Sequence, residues 1–183
     1  MLEANVFIKP KREKPIVNHH PWVFSGAIRE IDGYTQPGDI VVVKRHDGML
    51  LGRGYYNPHS QIQVRMLAWE DEPIDAAWWR DMLAQAVSFR EGRAGWDDGE
   101  SIGCRLVNAE NDYLPGLVVD RYGAWLVLQA LTLGIDKHKV MIAELLAELV
   151  PGVLGIYERS DVDVRRKEGL EEVTGVLWGE APP

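Results

Sequence analysis

The chain has 183 residues, 46% of them hydrophobic and 26% charged, enough to build the core of one large domain or two small ones. Its lone cysteine, Cys104, excludes a disulfide framework and a cysteine-based zinc site. The net charge of -8 argues against a polyanionic ligand until it is divided: residues 1–70 hold 9 Lys/Arg against 7 Asp/Glu, and residues 71–183 hold 11 against 21.

Between residues 5 and 69 the apolar runs are short. They read VFIKP, WVFSGAI, DIVVVKR, MLLGRGYY and IQVRML, separated by Asp32-Gly33, Pro37-Gly38 and Asp47-Gly48. This spacing predicts about five strands in a small β-barrel, with Asp47-Gly48 closing an antiparallel hairpin. The composition then changes at the acidic, proline-ended residues 70–73, which places a domain boundary between residues 1–70 and 71–183.

A helix capped by Asp75 follows, with Trp78, Trp79, Met82, Leu83, Ala86 and Val87 on one face until Gly92 and the GWDDGES loop stop it. Residues 114–131 form two apolar runs about Tyr122-Gly123, a second hairpin. Asp136 is placed to cap a further helix with the stripe Val140, Met141, Leu145, Leu146 and Leu149, ended by Pro151-Gly152. Strands are predicted from Val153 and over residues 173–178, and residues 179–183 read as a linker. The fold class is α+β.

Candidate chemistry is sparse. A dinucleotide or S-adenosylmethionine site of the Rossmann kind needs a strand, a glycine-rich turn and a helix, and the only candidate for such a turn, Gly52-Arg53-Gly54, has strand-like runs on both sides. Its glycines favour a bulge or tight strand crossing. The functional alternative is that Gly54 admits an RNA backbone while Arg53 meets a phosphate. Cys104 lacks a neighbouring His or Asp to activate it, which favours a buried structural thiol. Asp97, Asp98 and Glu100 fit no calcium-loop spacing and read as a solvated loop. His19 and His20 are adjacent and point different ways, against a shared metal.

Lys9, Lys11, Arg12 and Lys14 form a basic run just before His20, Trp22 and Phe24, the mix of cations and rings that looped RNA favours. Trp22 and Phe24 alternate about Val23, which favours both rings in the barrel core over stacking on bases. Arg159, Arg165, Arg166 and Lys167 could reach RNA or a neighbouring domain; pairing with Asp161, Asp163 and Glu168 is the equal alternative.

Four stretches, in order, resemble a known family. They are KPKREKPIVNHHPWVFSGAI (residues 9–28), RGYYNPHSQIQVRML (53–67), RLVNAENDYLPGLVVDRYG (105–123) and IYERSDVDVRRKEGL (156–170). Together they resemble the N-terminal part of the bacterial class I S-adenosylmethionine-dependent large-subunit rRNA (cytosine-C5) methyltransferases. The resemblance implies an N-terminal PUA-like β-barrel, then a small strand-strand-helix-strand-strand α+β domain. It also implies that the Rossmann-like catalytic domain, with its cofactor loop and catalytic cysteine, is absent from this chain. RNA contacts are implied at Lys11, Arg12, His20, Ser25, Gly26, Arg53 and Gly54. Asn111 and Tyr113 flank Asp112 where the family usually has glycines, and Tyr113 suits a left-handed backbone poorly.

The expectation is therefore the RNA-recognition portion of an rRNA methyltransferase, with no catalytic residue and no metal site of its own. S-adenosylmethionine would be bound by a following domain. The alternative is a stand-alone RNA-binding or adaptor protein derived from that family. Structured RNA, rRNA above all, is the expected partner, and a homodimer stays open. The chain has neither a run of ~20 apolar residues nor a signal-peptide-like start, and the cytoplasm is the expected location.

Overall fold

A computed structural model of the chain describes residues 3–91 and 103–183. Gly92 and the acidic Asp97, Asp98 and Glu100 lie outside the described residues. The elements are β1 (Asn5–Ile8), α1 (Lys14–Val17), β2 (Trp22–Phe24), β3 (Ile28–Asp32), β4 (Ile40–Arg45), β5 (Leu50–Tyr56), β6 (Ile62–Ala68) and α2 (Ala76–Ser88). Then come β7 (Cys104–Asn108), β8 (Leu117–Tyr122), β9 (Trp125–Ala130), α3 (Leu133–Leu149), β10 (Gly155–Ser160) and β11 (Val173–Gly179).

The first sheet has six strands in the order β2-β6-β5-β4-β1-β3. Its edge strands, β2 and β3, are consecutive in the chain and joined only by the 3-10 turn Ser25–Ala27, so the sheet must curl until its edges approach. Backbone bonds hold that corner: Ser25 N donates to Gln61 O at 2.9 Å and Lys9 N to Ala27 O at 2.8 Å. The predicted β4-β5 hairpin forms, with Gly48 at φ 92 in its turn. Gly52 and Gly54 act within β5, where the pairing with β6 shifts register between Arg53 and Gly54. A Cβ would lie 2.1 Å from the Ala68 carbonyl at Gly52 and 2.2 Å from the Arg65 carbonyl at Gly54, so only glycine permits this strand approach.

Alternation divides the residues of the first sheet between its two faces. Val6, Ile8, Val23, Val41, Val43, Val64 and Met66 point inward and, with Ile16 of α1, form one core. The opposite face carries a row across three strands, since Tyr55 pairs with Arg65 and Arg65 with Trp22. The second sheet covers this row.

That second sheet has five strands, β11-β10-β9-β8-β7. The expected strand-strand-helix-strand-strand order corresponds to β8, β9, α3, β10 and β11, and one strand more, β7, pairs antiparallel with β8. Helix α3 connects β9 to β10, which lie parallel. Trp79 and Leu83 of α2, Leu106, Leu117, Leu126 and Leu128 of the strands, and Ile142 and Leu146 of α3 build the second core, which also takes in Tyr55 and Leu67 from the first sheet.

Helix α2 starts as predicted, with the Asp75 side chain accepting from Ala77 N and Trp78 N. The predicted cap of α3 is corrected. The helix begins before Asp136, with Thr132 at its N-cap, and Asp136 instead lies in the first turn. There it pairs with Lys139 at 2.9 Å and Arg165 at 3.0 Å. Tyr113 does take the left-handed backbone, φ 57, at the end of the 3-10 turn Ala109–Asp112. Its ring meets Trp69 edge-on at 5.9 Å, a contact that helps hold a conformation costing roughly 1–2 kcal/mol.

Candidate functional site

The basic run enters the fold through a tight turn. Arg12 N donates to Lys9 O at 3.1 Å, which places Pro10 and Lys11 at the two central positions, and Lys11 has φ 67. Proline followed by a residue of positive φ is the pattern of a type II turn. Lys11 therefore stands at a turn tip in a conformation that favours glycine, with Arg12 beside it; both side chains are exposed. Helix α1 follows, and His20 turns the chain into β2 by accepting from Trp22 N through Nδ1 at 3.1 Å.

Between α1 and β2 lies a groove of about 450 Å³ whose lining includes Arg12, His20, Trp22, Phe24 and Gly26. Ser25 adjoins Gly26 in the 3-10 turn, and Lys9 Nζ donates to Gly26 O at 3.0 Å. The structure thus brings together Lys11, Arg12, His20, Ser25 and Gly26. It does not bring Arg53 and Gly54 to them. Arg53 donates to Glu3 and, at 2.7 Å, to Asp71, while Gly54 faces the β6 backbone. His19, next to His20, turns away and stacks on Trp69 at 5.0 Å.

The rings of Trp22 and Phe24 are not in the core, contrary to expectation. Val23 is 2% exposed and Phe24 47%, so β2 turns its aliphatic residue inward and its aromatic residues outward. A three-residue edge strand with one β-branched residue between two rings leaves its face undetermined by pattern alone. The neighbour Val64, opposite Val23 and fully buried, fixes it.

Where the second sheet closes over the row of Tyr55, Arg65 and Trp22, the contacts are buried and polar. Tyr55 Oη donates to the Pro115 carbonyl at 2.7 Å and lies 2.7 Å from Thr132 Oγ1, and a Cβ at Gly134 would come within 2.2 Å of the Tyr55 ring. Glu168 is 2% exposed and accepts from Ser60 Oγ at 2.7 Å, Asn57 Nδ2 at 3.0 Å and Arg65 Nη2 at 2.7 Å. Burial pushes the Glu168 carboxyl up, but the Arg65 charge and the hydrogen bonds from Ser60, Arg65 and Asn57 outweigh it and hold the group below its usual value.

The arginines of residues 156–170 separate. Arg165 is 2% exposed and donates to Glu171 O, Ala130 O and Asp136, so its guanidinium fastens β9 and α3 and presents nothing to solvent. Arg159 pairs with Asp161 at 3.2 Å and Arg166 with Glu172 at 2.7 Å, both at the surface. Lys167 is exposed and lines a cleft between the sheets. Cys104 is half-buried at the edge of the second core. Among the described residues there is no group of three His, Cys, Asp or Glu placed to hold a metal ion, and no helix long and apolar enough to cross a membrane.

Residues 6–69 match the PUA-like domain. Over nearly its whole length the chain is also similar to curated proteins named Ribosomal RNA large subunit methyltransferase I. It is 42% identical to the protein of Alteromonas mediterranea, with 99% of this chain and 45% of the relative covered. It is 46% identical to that of Shewanella denitrificans, again over 99% and 45%. The chain thus spans under half the length of these relatives. Among solved structures, a chain from Streptococcus mutans assigned as a SAM-dependent methyltransferase matches with a TM-score of 0.78 at 16% identity, over 98% of this chain and 44% of that one. A methyltransferase assignment complexed with SAH matches at 0.77 and 16%, over 100% and 44%. These structures share the fold of both sheets. The PUA-like domain here therefore occurs together with the second sheet in other proteins.

Proposed function

We propose that the chain is the RNA-recognition portion of an S-adenosylmethionine-dependent methyltransferase acting on cytosine C5 of large-subunit rRNA. In this proposal residues 1–70 grip RNA, residues 71–183 form the middle domain, and a further domain supplies cofactor and chemistry. The observation that carries it is the groove between α1 and β2 of the PUA-like domain, lined in part by Arg12, with Lys11 next to it in the chain and both side chains exposed. Phosphates would sit on these cations, while His20 and the open backbone at Gly26 border the groove. The space beside the Gly26 Cα is open, since a Cβ built there would meet nothing within 4 Å, and a nucleic-acid backbone could approach on that side. Arg53 is tied to two carboxylates, and in this reading it steadies β5.

Among the described residues, the glycine-rich run of β5 does not suit S-adenosylmethionine. The Gly52-Arg53-Gly54 run lies inside β5, and side chains at either glycine would strike β6, so it forms neither a turn nor a helix N-terminus. The test is a titration of a fluorescently labelled stem-loop RNA at several salt concentrations. Lys11→Glu with Arg12→Glu is expected to weaken binding and to reduce the log-log salt slope by about 0.7–0.9 for each phosphate that is no longer neutralised. Unchanged affinity and slope would refute the assignment.

A further inference from the structure

Trp22 and Phe24 line a second cavity on the other side of β2. It is a cleft of about 680 Å³ between the two sheets, within the roughly 300–1,000 Å³ span of small-molecule sites. One wall is aromatic: the two rings meet edge-on at 6.4 Å, and the Trp22 indole is fixed by donating to Glu110 Oε1 at 2.8 Å. Val164, 44% exposed, stands among the residues of the facing unit. His59 and Lys167, both exposed, supply groups able to meet a phosphate.

Arg65 reaches the cleft from β6 and is only 8% exposed. Its Nη2 is spent on Glu168, but Nη1 is 4.0 Å from Glu110 and Nε has no acceptor. Its guanidinium also lies 5.9 Å from the Trp22 ring. A buried arginine whose Nη1 donors have only a distant carboxylate, beside the Trp22 ring and in a cleft that Lys167 also lines, suits a planar ligand that carries both carbonyl oxygens and a phosphate. An aliphatic side chain from a protein partner would leave those donors unmet.

We propose that this cleft receives an unpaired nucleotide of the bound RNA, its base against Trp22 and Phe24, its carbonyl edge toward Arg65 and its phosphate near Lys167 and His59. The inference rests on the RNA-binding reading above and adds a second subsite to it. Because Trp22 and Phe24 border both cavities, a strand leaving the α1-β2 groove crosses β2 and enters the cleft directly. A base still paired in a duplex cannot do so, and the subsite selects looped RNA.

The experiment compares a stem-loop RNA with a fully paired duplex of equal length, using Val164→Trp and Gln61→Trp to fill the cleft without changing charge. Both positions are exposed, and an unchanged thermal midpoint verifies that the variants fold. The intact chain is expected to prefer the stem-loop, and each variant to reduce that preference about tenfold, within what stacking of one base supplies. Retention of the full preference by both variants would overturn the proposal, as would equal binding of both RNAs by the intact chain, which leaves the RNA-binding reading standing. Binding of neither RNA removes that reading and the subsite together.

Discussion

Glu168→Gln tests the connection between the sheets most directly. The substitution keeps the shape of the side chain but removes the charge that faces Arg65, and it turns an amide toward donors from Ser60, Asn57 or Arg65. Arg65 and Glu168 have side chains 9% and 2% exposed, so the arginine would be left charged with little water to replace its partner. Removing one member of such a pair costs about 3–5 kcal/mol. At ~2–4 °C per kcal/mol for a chain of this size, the thermal midpoint should fall by roughly 6–20 °C near neutral pH.

The pH dependence supplies a second check. The folded carboxyl titrates below its unfolded value of about 4.3, so its stabilisation is complete above that pH and fades as pH falls through the folded value. Differential scanning calorimetry between pH 7 and pH 3 should show the intact chain losing this increment on acidification and Glu168→Gln lacking it. A drop under about 2 °C at neutral pH, or identical acid slopes for the two proteins, would refute the assignment of Glu168 as the ion that fastens the sheets.

Further outcomes follow from the same contacts. Gly134→Ala should destabilise by at least about 1–3 kcal/mol, read from urea unfolding, because its Cβ cannot coexist with the Tyr55 ring. Tyr55→Phe deprives the Pro115 carbonyl of its phenolic donor and should cost roughly 1–3 kcal/mol in the same assay. Lys11→Gly should leave the thermal midpoint the same or higher, since φ 67 suits glycine, while RNA affinity falls; unchanged affinity would remove the turn tip from the proposed contact. Isothermal titration of this chain with S-adenosylmethionine should give no saturable heat, and tight binding would contradict placing the cofactor elsewhere.

What was legible in the sequence was local. Asp47-Gly48 marked its hairpin because the turn needs a positive φ that glycine supplies without strain, and Asp75 marked its helix because a carboxylate can accept from the first free amides. The bulge at Gly52 and Gly54 was likewise expected, since no helix pattern follows it. Strand β7 was missed because its five residues, CRLVN, carry Arg105 and Asn108 and give too short an alternation to stand out. Asp136 resembled a cap by type and position, but three residues of helix precede it, and its partners Lys139 and Arg165 are brought in by packing.

The candidate groove could be found because Lys11, Arg12, His20, Ser25 and Gly26 are near neighbours in the chain. The cleft could not. Trp22, Arg65 and Lys167 meet only after β2 pairs with β6 and the second sheet closes over both, and pairings of that length leave no periodic signature.

The distance along the chain between Arg65 and Glu168, 103 residues, has a meaning during synthesis. A ribosome adding ~5–20 residues per second leaves Arg65 without its partner for about 5–20 s after it appears. Through that interval the outer face of the new sheet also bears Tyr55 and Leu67, which the second core has yet to cover. A charged side chain in the middle of such a face discourages it from sticking to another nascent chain, because burying the guanidinium without a carboxylate is costly. The same guanidinium that locks the finished molecule would make the uncovered face costly to bury against another chain until Glu168 arrives.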